Sequence, residues 1–159
     1  MSEIPRLQDT LRRVYDGEAF YGDNIATVLA DIDAVQSVWV PEGASHCIWQ
    51  ILRHMTVWTD IIRQRLTSPT LVEIGSDEEN FPNTPTPIHD NWNAARDSFA
   101  AAFDALIQEV GRFPNSRLQK NVPGREYTFY VMIHGAAHHA LYHLGQIAMM
   151  KAMYRRQDS

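Results

Sequence analysis

Seven histidines are spread through the 159 residues, and three of them have a spacing that suits metal chemistry. In the stretch HHALYHLGQI, from His138 to Ile147, His139 and His143 are four residues apart. On an α-helix that spacing puts both imidazoles on one face, one turn apart, where they can bind a single ion. A third ligand must then come from another element. His54 is the candidate. It interrupts the stripe Cys47, Ile51, His54, Trp58, Ile61, whose steps of four and three are those of a bundle seam. A similar seam runs Met132, Ala136, His139, His143, Gln146, Met150. A buried imidazole without a partner costs roughly 1–3 kcal/mol, so three histidines on core seams ask for an explanation. One shared divalent cation would use all three lone pairs at once. On spacing alone, the alternative of ordinary core histidines bonded to backbone or tyrosine stays open.

The other candidates carry weaker signals. His134 and His138 form a second pair four residues apart, on a face rotated away from the first, so one helix cannot easily aim both pairs at one ion. His138 is expected at the pocket rim or on the surface, and His46 and His89 in solvent. Cys47 lies two turns from His54, about 10 Å along a helix, and reads as a small buried residue rather than a ligand. Gln146 is placed either to hydrogen-bond a ligand or metal-bound water, or to pack between helices. Tyr142, Trp49, Trp58 and Trp92 read as core. No catalytic residue beyond the histidines is assigned; His138, Glu126 and the carboxylates of 73–79 are general-base candidates without diagnostic spacing.

The elements that must position these side chains follow from apolar periodicity. Residues 4–17 read as a helix through Leu7, Leu11, Val14 and Tyr15. Asn24 can cap a short helix with Ile25, Val28, Leu29 and Ile32, and another turn is expected around 34–39. Ser45 is the expected cap of a long helix over 46–67 that is apolar nearly all round and therefore buried on more than one side. Four prolines (Pro69, Pro82, Pro85, Pro87) make 68–89 a long crossover loop. Asp90 is the expected cap of a helix over 91–110, with Gly111 at its end. A loop over 112–126 precedes the last helix, expected from Tyr127 to Tyr154. Four amphipathic helices with long crossover connections, and no alternating strand pattern, predict an all-α four-helix bundle.

At this length one domain over 1–159 is expected. The net charge of −5 and pI near 5.7 argue against a nucleic-acid surface. No apolar run approaches the ~20 residues that span a bilayer, and the charged N-terminal stretch lacks a signal-peptide core. With one cysteine there is no intramolecular disulfide. These features lead to the expectation of a cytoplasmic protein.

Three segments, HGAAHHALYHLGQI, SHCIWQILRHMTVW and DGEAFYGDNIATVLADI, together resemble the DinB-like superfamily, metal-binding four-helix bundles that include the YfiT-type proteins. The resemblance covers nearly the whole chain. It implies a metal triad of His54 from the second long helix and His139 and His143 from the last. His138 departs from the pattern, standing where related sequences often carry Gln. The resemblance also implies a homodimer, and an activity among thiol-dependent transferases, an isomerase that uses a thiol cofactor, and many members of unknown activity. Three imidazoles leave a divalent ion with open positions, the pattern of a catalytic site. Such an ion can activate water for hydrolysis or hold a thiol as thiolate. The expectation is a thiol-dependent S-transferase acting on small electrophiles, with a low-molecular-weight thiol as cosubstrate. A metal-dependent hydrolase and a non-enzymatic stress-response metal-binding protein are the alternatives. The ligand set favours Zn or Ni, with Fe and Mn tolerated.

Overall fold

The computed structural model describes residues 2–157 and, among them, is helical throughout apart from connecting segments. Its elements are α1 (Ile4–Tyr15), α2 (Ile25–Leu29), α3 (Ala34–Val38), α4 (Ile48–Thr67), α5 (Asp77–Asn80), α6 (His89–Arg112) and α7 (Phe129–Gln157). The long helices α1, α4, α6 and α7 form a bundle in which α1 and α4 each pack on both α6 and α7. The crossovers α1 to α4 and α6 to α7 therefore run across the bundle, and α4 to α6 joins neighbours. The fold is all-α, as the periodicity predicts.

Each long helix buries the stripe its sequence offers. In α1 these are Ile4, Leu7, Leu11 and Val14, with Pro5 preset for the first turn and Arg12 and Arg13 at the last. The helix α4 is buried on several sides because α3, α6 and α7 all pack on it. Its buried Thr56 and Thr59 hydroxyls donate to Leu52 O and Met55 O, one turn back, which removes their desolvation cost. In α6, Phe99 and Phe103 pack against Tyr15 of α1. The buried Trp92 donates its indole N–H to Ile32 O at 2.6 Å, tying α6 to the segment after α2. Asn24 caps α2 as expected, its side chain accepting from the Thr27 amide.

Several boundaries differ from the sequence reading. Cys47, not Ser45, is the N-cap of α4, and Gln50 Oε1 accepts from its amide at 3.2 Å. The helix α6 begins at His89 with Ile88 as N-cap, so His89 is helical, although still exposed, and Asp90 lies in the first turn, where its charge favours the helix dipole. Gly111 sits inside the last turn and Phe113 is the C-cap. The last helix starts at Phe129, because Val122 and Tyr127 close a backbone turn just before it.

The crossover from 68 to 88 is mostly irregular, as its prolines require, but it holds the one-turn helix α5. Ser76 caps α5 by accepting from the Glu79 amide at 3.1 Å, and Glu79 Oε2 accepts from the Gly75 amide at 2.7 Å. The crossover is anchored to α4 at both ends. Arg65 Nε donates to Val72 O at 2.7 Å, and Gln50 Nε2 donates to Pro82 O at 3.0 Å. These anchors press Asn80 and Phe81 against the middle of α4.

Candidate metal centre

The bundle brings His54 of α4 together with His139 and His143 of α7. His139 Nε2 stands 3.1 Å from His54 Nε2 and 3.1 Å from His143 Nε2. The ligand atoms of the three rings all lie within 4.8 Å of one another. Two nitrogens bound to one tetrahedral ion at about 2.0–2.1 Å stand roughly 3.3 Å apart, so the two short separations match ligands of a shared cation. His54 and His143 are buried and His139 is half-buried.

The opposite edges of two rings are tied down. His54 Nδ1 lies 2.8 Å from Asn80 Oδ1, and His143 Nδ1 lies 2.6 Å from Gln146 Oε1. With each amide assigned oxygen-inward, Nδ1 carries the proton and donates, which leaves Nε2 as a bare lone pair facing the cluster. For Asn80 that assignment is reinforced by Trp58, whose indole N–H donates to the same oxygen at 3.0 Å. Such hydrogen bonds to the far side of a ring are how proteins orient metal-binding histidines. His139 Nε2 stands between those of His54 and His143, so a neutral His139 either donates to one of them or, with its proton on Nδ1, presents a third lone pair. The donor set, three neutral imidazoles, suits a divalent transition metal.

Electrostatics keeps the rings neutral. Burial holds His139 down to about 4, and its neighbours His143 and His54 would add repulsion to any charge placed there. His54 is lowered by burial and by His143, against the opposing bond to Asn80. His143 is lowered by burial, against the opposing bond to Gln146. All three therefore offer lone pairs at neutral pH without first losing a proton.

Aromatic packing closes one flank. Phe81 is stacked between His46, at 3.8 Å between ring centroids, and His54, at 4.4 Å, with the rings within 5° of parallel. His46 is thus half-buried rather than in solvent, because Phe81 from the crossover covers it, and its Nδ1 is buried without a hydrogen-bond partner. Beside the cluster lies a cavity of about 570 Å³ whose lining includes His46, Phe81, His143 and Gln146, together with Met150 and Met153. Tyr142 lies at its edge and is 65% exposed, so it is not core: the turn that buries His143 points its preceding neighbour outward. On the other flank, Trp58 and His139 line a second cavity of about 290 Å³.

The remaining sequence candidates fall outside the cluster. His138 is exposed, and His134 is half-buried against Tyr130 at 4.5 Å. Glu126 is exposed. Glu73 pairs with Arg125, Glu78 accepts from Asn83, and Glu79 is occupied at Gly75. Cys47 is fully buried at the start of α4, with Thr84 at 3.8 Å from its sulfur. Three participants escaped the sequence reading: Asn80, Phe81 and the indole N–H of Trp58. The pattern Ser76-Asp77-Glu78-Glu79, a capping box, was the available signal that the crossover contains an ordered turn just before Asn80.

A family model described as the DinB superfamily matches residues 22–147, most of the chain and all three histidines. The chain belongs to the DinB superfamily. Comparisons with curated proteins and with solved structures returned no match. Membership in the DinB superfamily and the three-histidine cluster together fit a metal-binding protein. No helix among the described residues of this DinB-superfamily chain is long and apolar enough to cross a membrane.

Proposed function

We propose that this chain is a metal-dependent enzyme that transfers a low-molecular-weight thiol onto a small electrophile. His54, His139 and His143 would hold a divalent cation, zinc or nickel by the softness of the donor set. The observation that carries this reading is the convergence of three imidazole Nε2 atoms beside a cavity of about 570 Å³. Three protein ligands leave coordination positions open, as a structural four-ligand site does not. A bound cation supplies Lewis acidity, which favours the thiolate over the thiol.

The chain's own residues do the rest. Asn80 and Gln146 hold two of the rings in the tautomer that binds metal. Phe81 and His46 cover the cluster and limit water. Met150 and Met153 give the cavity a soft, polarizable wall suited to sulfur and to apolar electrophiles. With an alkyl chloride, the S–C bond forms as the C–Cl bond breaks; chloride leaves with the electron pair and the thiol proton passes to solvent. Glu73, Glu78 and Glu79 of the crossover are engaged elsewhere and Asp77 is exposed, which favours a nucleophile activated at the cation over one activated by a side-chain base. A second copy of the chain is the expected partner in a homodimer.

The test begins with metal content. Wild-type protein is expected to retain a stoichiometric divalent ion and His143→Ala to lose it; full occupancy in the variant would refute the triad. A panel of thiols with chlorinated and epoxide electrophiles then tests transfer. Turnover of esters or amides without added thiol would assign hydrolysis instead. Loss of metal that lowers the melting temperature, with no turnover of any of these compounds, would assign a purely structural ion.

A further inference from the structure

Arg65 lies on α4 three turns beyond His54 and is only 4% exposed. Arginine is almost never buried so completely without a partner of opposite charge, because its guanidinium cannot shed its proton. Yet among the described residues no carboxylate forms an ion pair with it. Nε donates to Val72 O and Nη1 donates to Tyr127 Oη at 3.0 Å, both uncharged acceptors. Nη2 is buried with no hydrogen-bond partner. The Trp58 ring, 5.9 Å away, offers a cation–π contact but no acceptor for that nitrogen. Positive charge and a free donor are thus held in a largely apolar site, where leaving them unpaired is costly.

Arg65 also lines the cavity of about 290 Å³ that reaches His139. The walls between are Trp58 and Ile62 from α4 and Val131 from α7. Gly135 completes the α7 side, and a Cβ there would meet nothing within 4 Å. A glycine inside a helix costs about 1 kcal/mol relative to alanine, and no close packing within the chain requires this one. Trp58 packs against His139, whereas Arg65 is bonded to Tyr127, two residues before α7 begins. The cation and the histidine therefore occupy opposite ends of an apolar slot. Seven residues of α4 separate Trp58 from Arg65, roughly 10 Å along the helix.

The geometry points to Arg65 as an anion-binding residue that takes the carboxylate of an elongated apolar substrate and directs its other end toward His139. A carboxylate in the slot supplies the negative charge that the buried guanidinium otherwise lacks. The ligand class is an aryl- or alkyl-carboxylate. The placement of the reacting end rests on the reading of His139 as a metal ligand; the anion site itself does not.

The probe pair is 3-phenylpropionate and its uncharged amide, titrated calorimetrically into the protein as isolated and after chelator treatment, with metal content measured in parallel. Wild type is expected to bind the carboxylate at least tenfold more tightly than the amide in both forms. Arg65→Gln should abolish that preference and Arg65→Lys should keep part of it. Equal affinity for acid and amide in wild type, or no binding of the acid, would overturn the proposal without recourse to any variant. A preference that survives Arg65→Gln but vanishes on chelation would place the carboxylate on the metal, overturning the anion site and leaving the metal reading intact. A preference that depends on Arg65 in protein containing no metal would uphold the anion site and remove the metal reading.

Discussion

Asn80 touches no ion in the arrangement described above, yet its replacement should drain the metal site. Its Oδ1 accepts from His54 Nδ1 at 2.8 Å and from Trp58 Nε1 at 3.0 Å. Asn80→Ala removes both bonds, each worth about 0.5–1.5 kcal/mol net, so together about 1–3 kcal/mol. The same figure follows from the behaviour of groups that orient metal-binding histidines, whose loss lowers affinity ~10–100-fold, or about 1.4–2.7 kcal/mol. Without the acceptor, His54 is free to turn or to move its proton to Nε2, the atom that faces the cluster. Competition with a chromophoric zinc chelator measures the effect directly. Asn80→Asp is the informative companion, since a carboxylate accepts the same Nδ1 proton and should hold affinity near or above that of wild type. If Asn80→Ala binds zinc within threefold of wild type, the reasoning that fixes the His54 tautomer through Asn80 is wrong.

Further outcomes follow from the same geometry. His138→Ala and His134→Ala should leave metal content unchanged by elemental analysis, because one ring is exposed and the other packs on Tyr130 away from the cluster. The metal-free protein should lose stability on acidification. Burial lowers His139 to about 4 and depresses His54 and His143, so the unfolded chain binds more protons than the folded one. That stability is fully present above the ordinary histidine pKa of about 6.5 and is lost as pH falls from there toward about 4. Melting temperatures of chelator-treated wild type and His139→Gln between pH 7.5 and 4 should converge as pH falls; parallel curves would contradict the assignment. Trp92→Phe removes the 2.6 Å bond to Ile32 O and should cost about 1–3 kcal/mol in a urea melt, leaving metal affinity unaltered.

The four long helices and the three histidines were legible because a repeat of four and three survives small errors of boundary. His54, His139 and His143 occupy seam positions whose neighbours Ile51 and Ala136 are apolar, and buried in the structure. What the sequence hid has a common cause. Asn80 and Phe81 lie in a proline-rich crossover, where no periodicity fixes which side chain faces inward. His46 escaped because its cover, Phe81, comes from that same segment. Tyr142 misled because an aromatic residue beside a buried histidine resembles core, whereas neighbours on a helix point about 100° apart. Arg65 is the reverse case: a charged residue whose burial depends on Trp58 of its own helix and on Val72 and Tyr127, brought to it from two other parts of the chain.

The crossover is the most irregular long segment of the fold, and it supplies the acceptor for one of the three rings. Order in the crossover and occupancy of the cluster are therefore linked, and linkage of this kind runs equally in both directions. Whatever strengthens the grip of Arg65 on Val72 or of Gln50 on Pro82 would raise the affinity of the three histidines for an ion without touching them. Conversely, an ion bound there would hold His54 against Asn80 and so shelter the exposed Ser76–Glu79 turn from cleavage. The rate at which a protease nicks 68–88 would then be an external gauge of how much of the protein is loaded.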